Sequence, residues 1–256
     1  MINTYLGYQT IARDMAKSID RIEKQPVVQR ETEYYLENIE KVKSIKDFVA
    51  DERVFRFAMK AHGLDDMAYA KAFMVKVLEG GTDNRESFAN TLTDKRYRDF
   101  AETFNFVRHG EATTIFERTR QGTVDRYVRQ TLEEDAGSQN EGVRLALYFE
   151  RNAVKIDNVF SILADPALGQ VVRTALGLPQ SLAASDIDRQ AALIESRIEI
   201  ADFKDPEKLG EFLQRFTALW EVANPTAQPQ VSLLFGSPVE SGISTDLMLT
   251  LQRLRP

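Results

Sequence analysis

Sliding the 256-residue sequence along itself by 114 positions lays residues 34–64 over residues 148–178 without a gap. Eight of these 31 positions are identical: Tyr34/Tyr148, Asn38/Asn152, Lys41/Lys155, Ala50/Ala164, Asp51/Asp165, Ala61/Ala175, Gly63/Gly177 and Leu64/Leu178. Composition alone would give roughly two such matches. A chain that carries one unit twice must build the same local structure twice, so the nature of that unit sets the fold class.

The unit reads as helical. Tyr35, Ile39, Val42, Ile45 and Val49 step by four, three, three and four, and Phe149, Ala153, Ile156, Val159 and Leu163 repeat the steps. That spacing predicts one apolar helical stripe facing a core. Ala-Asp follows in both copies, and the Asp is placed to cap the amides opening a second helix, with Pro166 at the favoured first position in the second copy. Gly63 and Gly177 then end that helix in the left-handed conformation, with Leu64 or Leu178 folding back in a Schellman arrangement. A weaker match continues where Asp94 heads a segment carrying Phe100 and Phe104, and Asp205-Pro206 heads one carrying Phe212 and Phe216.

Apolar and charged residues alternate at spacings of three and four over 5–24, 27–49, 66–79, 95–108, 122–135, 141–163, 186–201 and 207–223. Strand patterning is confined to Val231-Ser232-Leu233-Leu234-Phe235, too short and isolated for a sheet. The expected class is therefore all-α and multihelical, with two tandem copies of a helical unit packed together. The expected organisation is an N-terminal helix (1–25), a first repeat (26–110), a connecting helical segment (111–139), a second repeat (140–224), and a linker with an amphipathic helix (225–256). That tail is rich in Pro and Gly, and its Leu247, Leu251 and Leu254, with Met248 beside them, form an apolar face expected to dock on the chain's own helices, with binding of a protein partner as the alternative.

Composition bounds the function. A net charge of −6 opposes binding to a phosphate backbone or an anionic membrane surface, so no nucleic-acid partner is expected. No apolar run approaches the roughly 20 residues that span a bilayer, and the first residues lack a basic segment followed by an apolar one, so a soluble, cytoplasmic protein without membrane insertion or a cleaved signal is expected. The absence of Cys removes disulfides and thiolate chemistry, and His62 and His109 are too few for a His-rich metal site. No catalytic residue, cofactor or metal is assigned, and the chain is not expected to be an enzyme.

Several motifs imitate chemistry. Arg108-His109-Gly110-Glu111 resembles the signature of the histidine phosphatase superfamily, where the His accepts the phosphoryl group. Here it follows an amphipathic helix instead of a strand, and the other His lies upstream, so the expectation is a His beside a helix-ending Gly. Asp65-Asp66 and Glu133-Glu134-Asp135 read as helix-end charges, Lys95-Arg96-Tyr97-Arg98 as a solvated face, and Gly80-Gly81 as a turn. Trp220 stands at helical spacing with its neighbouring Phe residues and reads as core.

The chain resembles the bacterial family called domain of unknown function 1217. The residues that carry the resemblance are Ala12-Arg13-Asp14, Arg30-Glu31-Thr32-Glu33-Tyr34-Tyr35-Leu36, the two Ala-Asp…Gly-Leu units, and Gly242-Ile243-Ser244 with Leu249, Leu251 and Gln252. The resemblance implies a helical fold and, because members are frequently encoded among flagellar genes, a motility role with flagellar components as protein partners. It transfers no catalytic residue. The expectation is a non-enzymatic helical scaffold or interaction protein serving flagellar assembly or structure, associated with the flagellum or exported without a cleaved signal. The rivals are a flagellar export chaperone and an enzyme with a pocket between the repeats, using Arg108 and His109.

Overall fold

Short polar side chains decide where the helices stop. The computed structural model describes residues 3–224, and among them every regular element is helical. The expected stretch 5–24 is two helices, α1 (Thr4–Arg13) and α2 (Met15–Glu23), because Asp14 accepts a hydrogen bond from Lys17 N at 3.0 Å and caps α2. The stretch 27–49 likewise divides into α3 (Pro26–Ile39) and α4 (Ile45–Ala50), with Ser44 Oγ accepting from Asp47 N at 3.1 Å. Ser, Asn and Asp compete for backbone amides, and a helical period cannot show that they have won.

Next come α5 (Glu52–Ala61), α6 (Lys71–Glu79), α7 (Phe88–Thr91), α8 (Lys95–Thr103), α9 (Phe106–His109) and the long α10 (Gln121–Gln139). The rest are α11 (Glu141–Ala153), α12 (Val159–Leu163), α13 (Pro166–Ala175), α14 (Ile187–Glu195) and α15 (Pro206–Ala223). Short 3-10 turns at Asp65–Met67, Gly110–Ile115, Glu117–Thr119, Gln180–Ala184 and Ile200–Lys204 link them.

The same local devices recur at the 114-residue offset. Asp51 accepts from the amides of Arg53 and Val54, and Asp165 from those of Ala167 and Leu168. The Tyr34 hydroxyl donates to Asp51 at 3.3 Å, and the Tyr148 hydroxyl to Asp165 at 2.6 Å. Asn38 Nδ2 donates to Tyr34 O, and Asn152 Nδ2 to Tyr148 O. At the far end Leu64 N donates to Met59 O and Leu178 N to Arg173 O, with Gly63 and Gly177 at φ of +68° and +63°. Asp, Gly and Leu thus match between the copies because each closes backbone groups that a helix end leaves open, while Tyr holds the capping Asp and Asn bonds the carbonyl one turn back in its own helix.

The apolar stripe crosses a break in both copies. Val42 lies between α3 and α4, and Ile156 between α11 and α12, yet both are buried. Amides of residues 41 and 42, and of 155 and 156, bond carbonyls three residues back, so the turn keeps a near-helical period and the side chains keep their face.

Among the described residues, buried side chains form two apolar clusters. The first runs from Ile22 to Leu132 and centres on Phe48, Phe55, Phe100 and Phe104; the second joins Tyr8 to residues between Ala136 and Trp220, including Phe149, Phe212 and Phe216. The boundary falls within α10, which gives Leu132 to one cluster and Ala136 to the other while packing against α2, α5 and α11. Ile11 and Met15 pack against both. Trp220 belongs to the second core, seated over Gly142, where a Cβ would lie 2.6 Å from Trp220 Nε1 and 2.7 Å from Thr4 Cγ2. No helix among the described residues is long and apolar enough to cross a membrane.

Candidate functional site

The capped ends of the repeated hairpins meet in one cleft. Its walls come from the end of α5 (Gly63, Asp65, Asp66), the start of α8 (Asp94, Arg96), α10 (Gln130, Glu134), α11 (Arg144, Tyr148) and the opening of α13 (Asp165, Pro166), around a volume of about 330 Å³. Arg96 is the tie. Its Nη2 donates to Asp94 Oδ2 at 2.7 Å and its Nη1 to the Gly63 carbonyl, so the guanidinium fastens α8 to the Schellman turn of α5. It is therefore no solvated-face cation, and the carboxylate of Asp94 holds its ionised form against the cost of burial.

Five carboxylates and two guanidiniums line the cleft. Most are spoken for: Glu134 pairs with Lys60 at 2.8 Å, Arg144 with Glu141, and Asp165 caps α13 while accepting from Tyr148. Burial, then the neighbouring Asp165 carboxylate, pushes the Tyr148 hydroxyl well above its ordinary range, so it stays a donor. Asp65 and Asp66 keep exposed side chains, and the balance of charge favours a cationic group over a phosphate. Among the described residues no three His, Asp or Glu side chains are placed to hold a metal ion.

Behind the cleft lies a polar cluster that sequence reasoning missed. Glu133 is mid-helix on α10 and buried, which corrects its reading as a helix-end charge. Its carboxylate accepts from Arg129 Nε at 3.0 Å and from Arg151 Nε and Nη2, both at 2.8 Å. Its position was a signal, because it falls between Leu132 and Ala136 on the buried side of α10, where an acid requires a partner.

Arg108 and His109 do not assemble a site. Arg108 is held by Asp83 and, at 2.7 Å, by Glu102; the Asp83 bond leads in raising the guanidinium's pKa, and the same bond lowers that of Asp83. His109 sits edge-on to Phe116 at 5.0 Å between ring centroids, and among the described residues its buried Nε2 has no hydrogen-bond partner. Gly110, at φ +55°, ends the short α9. His62 caps α5 elsewhere, against Phe100 and Phe104, with Nε2 3.1 Å from Arg126 Nη1. Among the described residues the two histidines share no partner. Leu247, Met248, Leu251 and Leu254 lie outside the described residues.

Comparison with known proteins adds two likenesses. The profile of a family described as "Protein of unknown function (DUF1217)" matches residues 61–209, more than half of the chain. The X-ray crystal structure of a protein from Agrobacterium tumefaciens is similar at 53% sequence identity, over 87% of this chain and 94% of that one, with a TM-score of 0.81. No curated protein matches the chain.

Proposed function

We propose that this chain, which belongs to the DUF1217 family, is a helical scaffold that holds a protein partner instead of turning over a substrate. One observation carries the reading: the charged side chains of the cleft and of the Arg108–His109 segment are mostly engaged in holding helix ends together. Arg96 ties Gly63 to Asp94, Asp165 caps α13, and Arg108 bridges Asp83 and Glu102. A catalytic acid or base needs a free proton-transfer position within reach of a reacting group, and a nucleophile needs an adjacent base. His109 packs against Phe116 with its Nε2 buried and no base bonded to it among the described residues, so that nitrogen is not presented to a reacting group.

The finer proposal, from the family resemblance, is that the partner is a flagellar component and that residues 225–256 take part in the contact. Affinity capture with the full chain and with residues 225–256 removed should recover different partners, and deletion of the gene should impair motility. Identical recoveries would take the tail out of the proposal, and unchanged motility would take out the flagellum. A phosphatase assay separates the rival. Activity that is present in wild type and abolished in His109→Ala would replace the scaffold with an enzyme.

A further inference from the structure

The duplication lets one half of the chain be read against the other. In the first copy the head of the hairpin is covered by an arginine of its own. Arg53, the second residue of α5, lays its guanidinium over the Tyr34 ring, 4.0 Å from the centroid. Its Nε and Nη2 hold Glu31 at 2.9 and 3.1 Å, and Nη2 also reaches the Arg30 carbonyl at 3.2 Å. The second copy keeps the tyrosine and its aspartate but drops the arginine. Tyr148 donates to Asp165 as Tyr34 does to Asp51, yet the position of Arg53 is taken by Ala167, and that of Glu31 by Leu145, which is fully buried in the second core.

At the place equivalent to that guanidinium the second copy has the cleft, about 330 Å³ in volume, walled by Tyr148, Asp165 and Ala167 and faced by Asp65 and Asp66 of the first copy. Two guanidiniums stand near Tyr148, and both are committed elsewhere. Arg96 has Nε and Nη2 on Asp94 and Nη1 on the Gly63 carbonyl, while Arg151, 5.3 Å from the centroid of the Tyr148 ring, has Nε and Nη2 on Glu133. The ion pairs of the cleft are Lys60–Glu134, Arg96–Asp94 and Arg144–Glu141, which among the described residues leaves Asp65, Asp66 and Asp165 without a paired cation.

We infer that this cleft binds a guanidinium, carried by an arginine side chain of the protein partner, in the place that Arg53 takes in the first copy. The inference rests on the scaffold reading for the source of that side chain alone. A tyrosine ring with carboxylates around it suits a planar, delocalised cation, which can stack on the ring and fork onto two oxygens at once; an ammonium has neither the plane nor the fork.

The test is a titration of the full chain followed by amide NMR, with ethylguanidinium, ethylammonium and an acetylated peptide carrying a central arginine among glycines added separately at fixed ionic strength. The Ala167 amide reports the cleft, and the Arg53 amide, at the head that already carries a guanidinium, is the internal control. The expected result is a saturable shift at Ala167 and none at Arg53, tighter for ethylguanidinium than for ethylammonium and at least as tight for the peptide. Ala167→Arg builds the arrangement of the first copy into the second and should abolish binding. Asp165→Asn retains a cap on α13 and should weaken binding by about tenfold. Circular dichroism checks that both fold, and Asp165→Asn decides alone if Ala167→Arg does not. Absence of a saturable shift at Ala167, equal affinity for the ammonium, or undiminished binding in the folded variants would overturn the inference. Binding of ethylguanidinium with exclusion of the peptide would overturn the assignment to a protein side chain. Guanidinium binding by a chain that captures no partner would remove the scaffold reading while supporting the cleft as a site.

Discussion

At the scale of single residues, the matching Asp, Gly and Leu of the two copies are backbone chemistry, and the worth of the Asp caps can be measured. Asp51 and Asp165 each close two amides, but the tyrosine bond is shorter on Asp165, at 2.6 Å against 3.3 Å. Loss of a helix cap costs about 1 kcal/mol, and a half-buried tyrosine hydroxyl left without its acceptor adds about as much again. Urea unfolding should therefore show Asp165→Ala to be the more destabilising, with equal losses contradicting the role of Tyr148. His62 makes a second prediction. Burial first, then Arg126, Lys155 and Arg151, hold its pKa well below the ordinary 6.5. Above that value both native and unfolded chains carry a neutral imidazole, and His62 gives no pH dependence. Below it the unfolded chain takes up a proton that the native one refuses, so stability falls with falling pH, by up to about 1.4 kcal/mol per unit, until the native pKa is reached. His62→Gln should flatten this part of the stability–pH curve; an unchanged slope would show that the imidazole does protonate in the fold.

Among the elements, what was legible in the sequence follows from what a helical period records. The caps at Asp51 and Asp165, the left-handed Gly63 and Gly177, and the core position of Trp220 were readable, because each depends on residues close along the chain. The breaks at Asp14, Ser44 and Asn158 were hidden, since the turns there keep spacings near three and four while polar side chains take the amides. The cleft was hidden for a different reason: Arg96 and Gly63 are 33 residues apart, and Glu133 and Arg151 are 18 apart, so their meeting depends on how helices pack. That packing makes α10, expected only as part of a connecting segment, the helix on which both clusters rest. Removing the Glu133 carboxylate leaves Arg129 and Arg151 without their shared partner, one of them on each of two helices, at a cost of about 3–5 kcal/mol. Thermal unfolding of Glu133→Ala should show it, with Glu133→Gln milder because the amide still accepts. A loss below about 1 kcal/mol would mean that water replaces the carboxylate.

For the described chain as a whole, the question is whether two apolar clusters make one cooperative unit. Three links say that they do. The helix α10 passes from Leu132 in the first cluster to Ala136 in the second, Ile11 and Met15 pack on both, and the Glu133–Arg151 bonds join α10 to α11. Unfolding the first cluster alone would unravel α10 and strand the Arg151 guanidinium, an expense that a second cluster standing by itself could not offset within a total stability of about 5–15 kcal/mol. Trp220, the one tryptophan, sits in the second cluster and so reports on it selectively. Phe48 is fully buried in the first, with the rings of Phe55, Phe104 and Phe106 within 6 Å of its own, so Phe48→Ala opens a cavity there at a cost of about 3–5 kcal/mol. In a single unit the Trp220 fluorescence transition must move down by as much as the far-ultraviolet circular dichroism, although the substitution lies in the other cluster. A fluorescence midpoint that stays put while the dichroism becomes biphasic would divide the chain into independently folding halves, and α10 would then be a bridge between two domains instead of the spine of one.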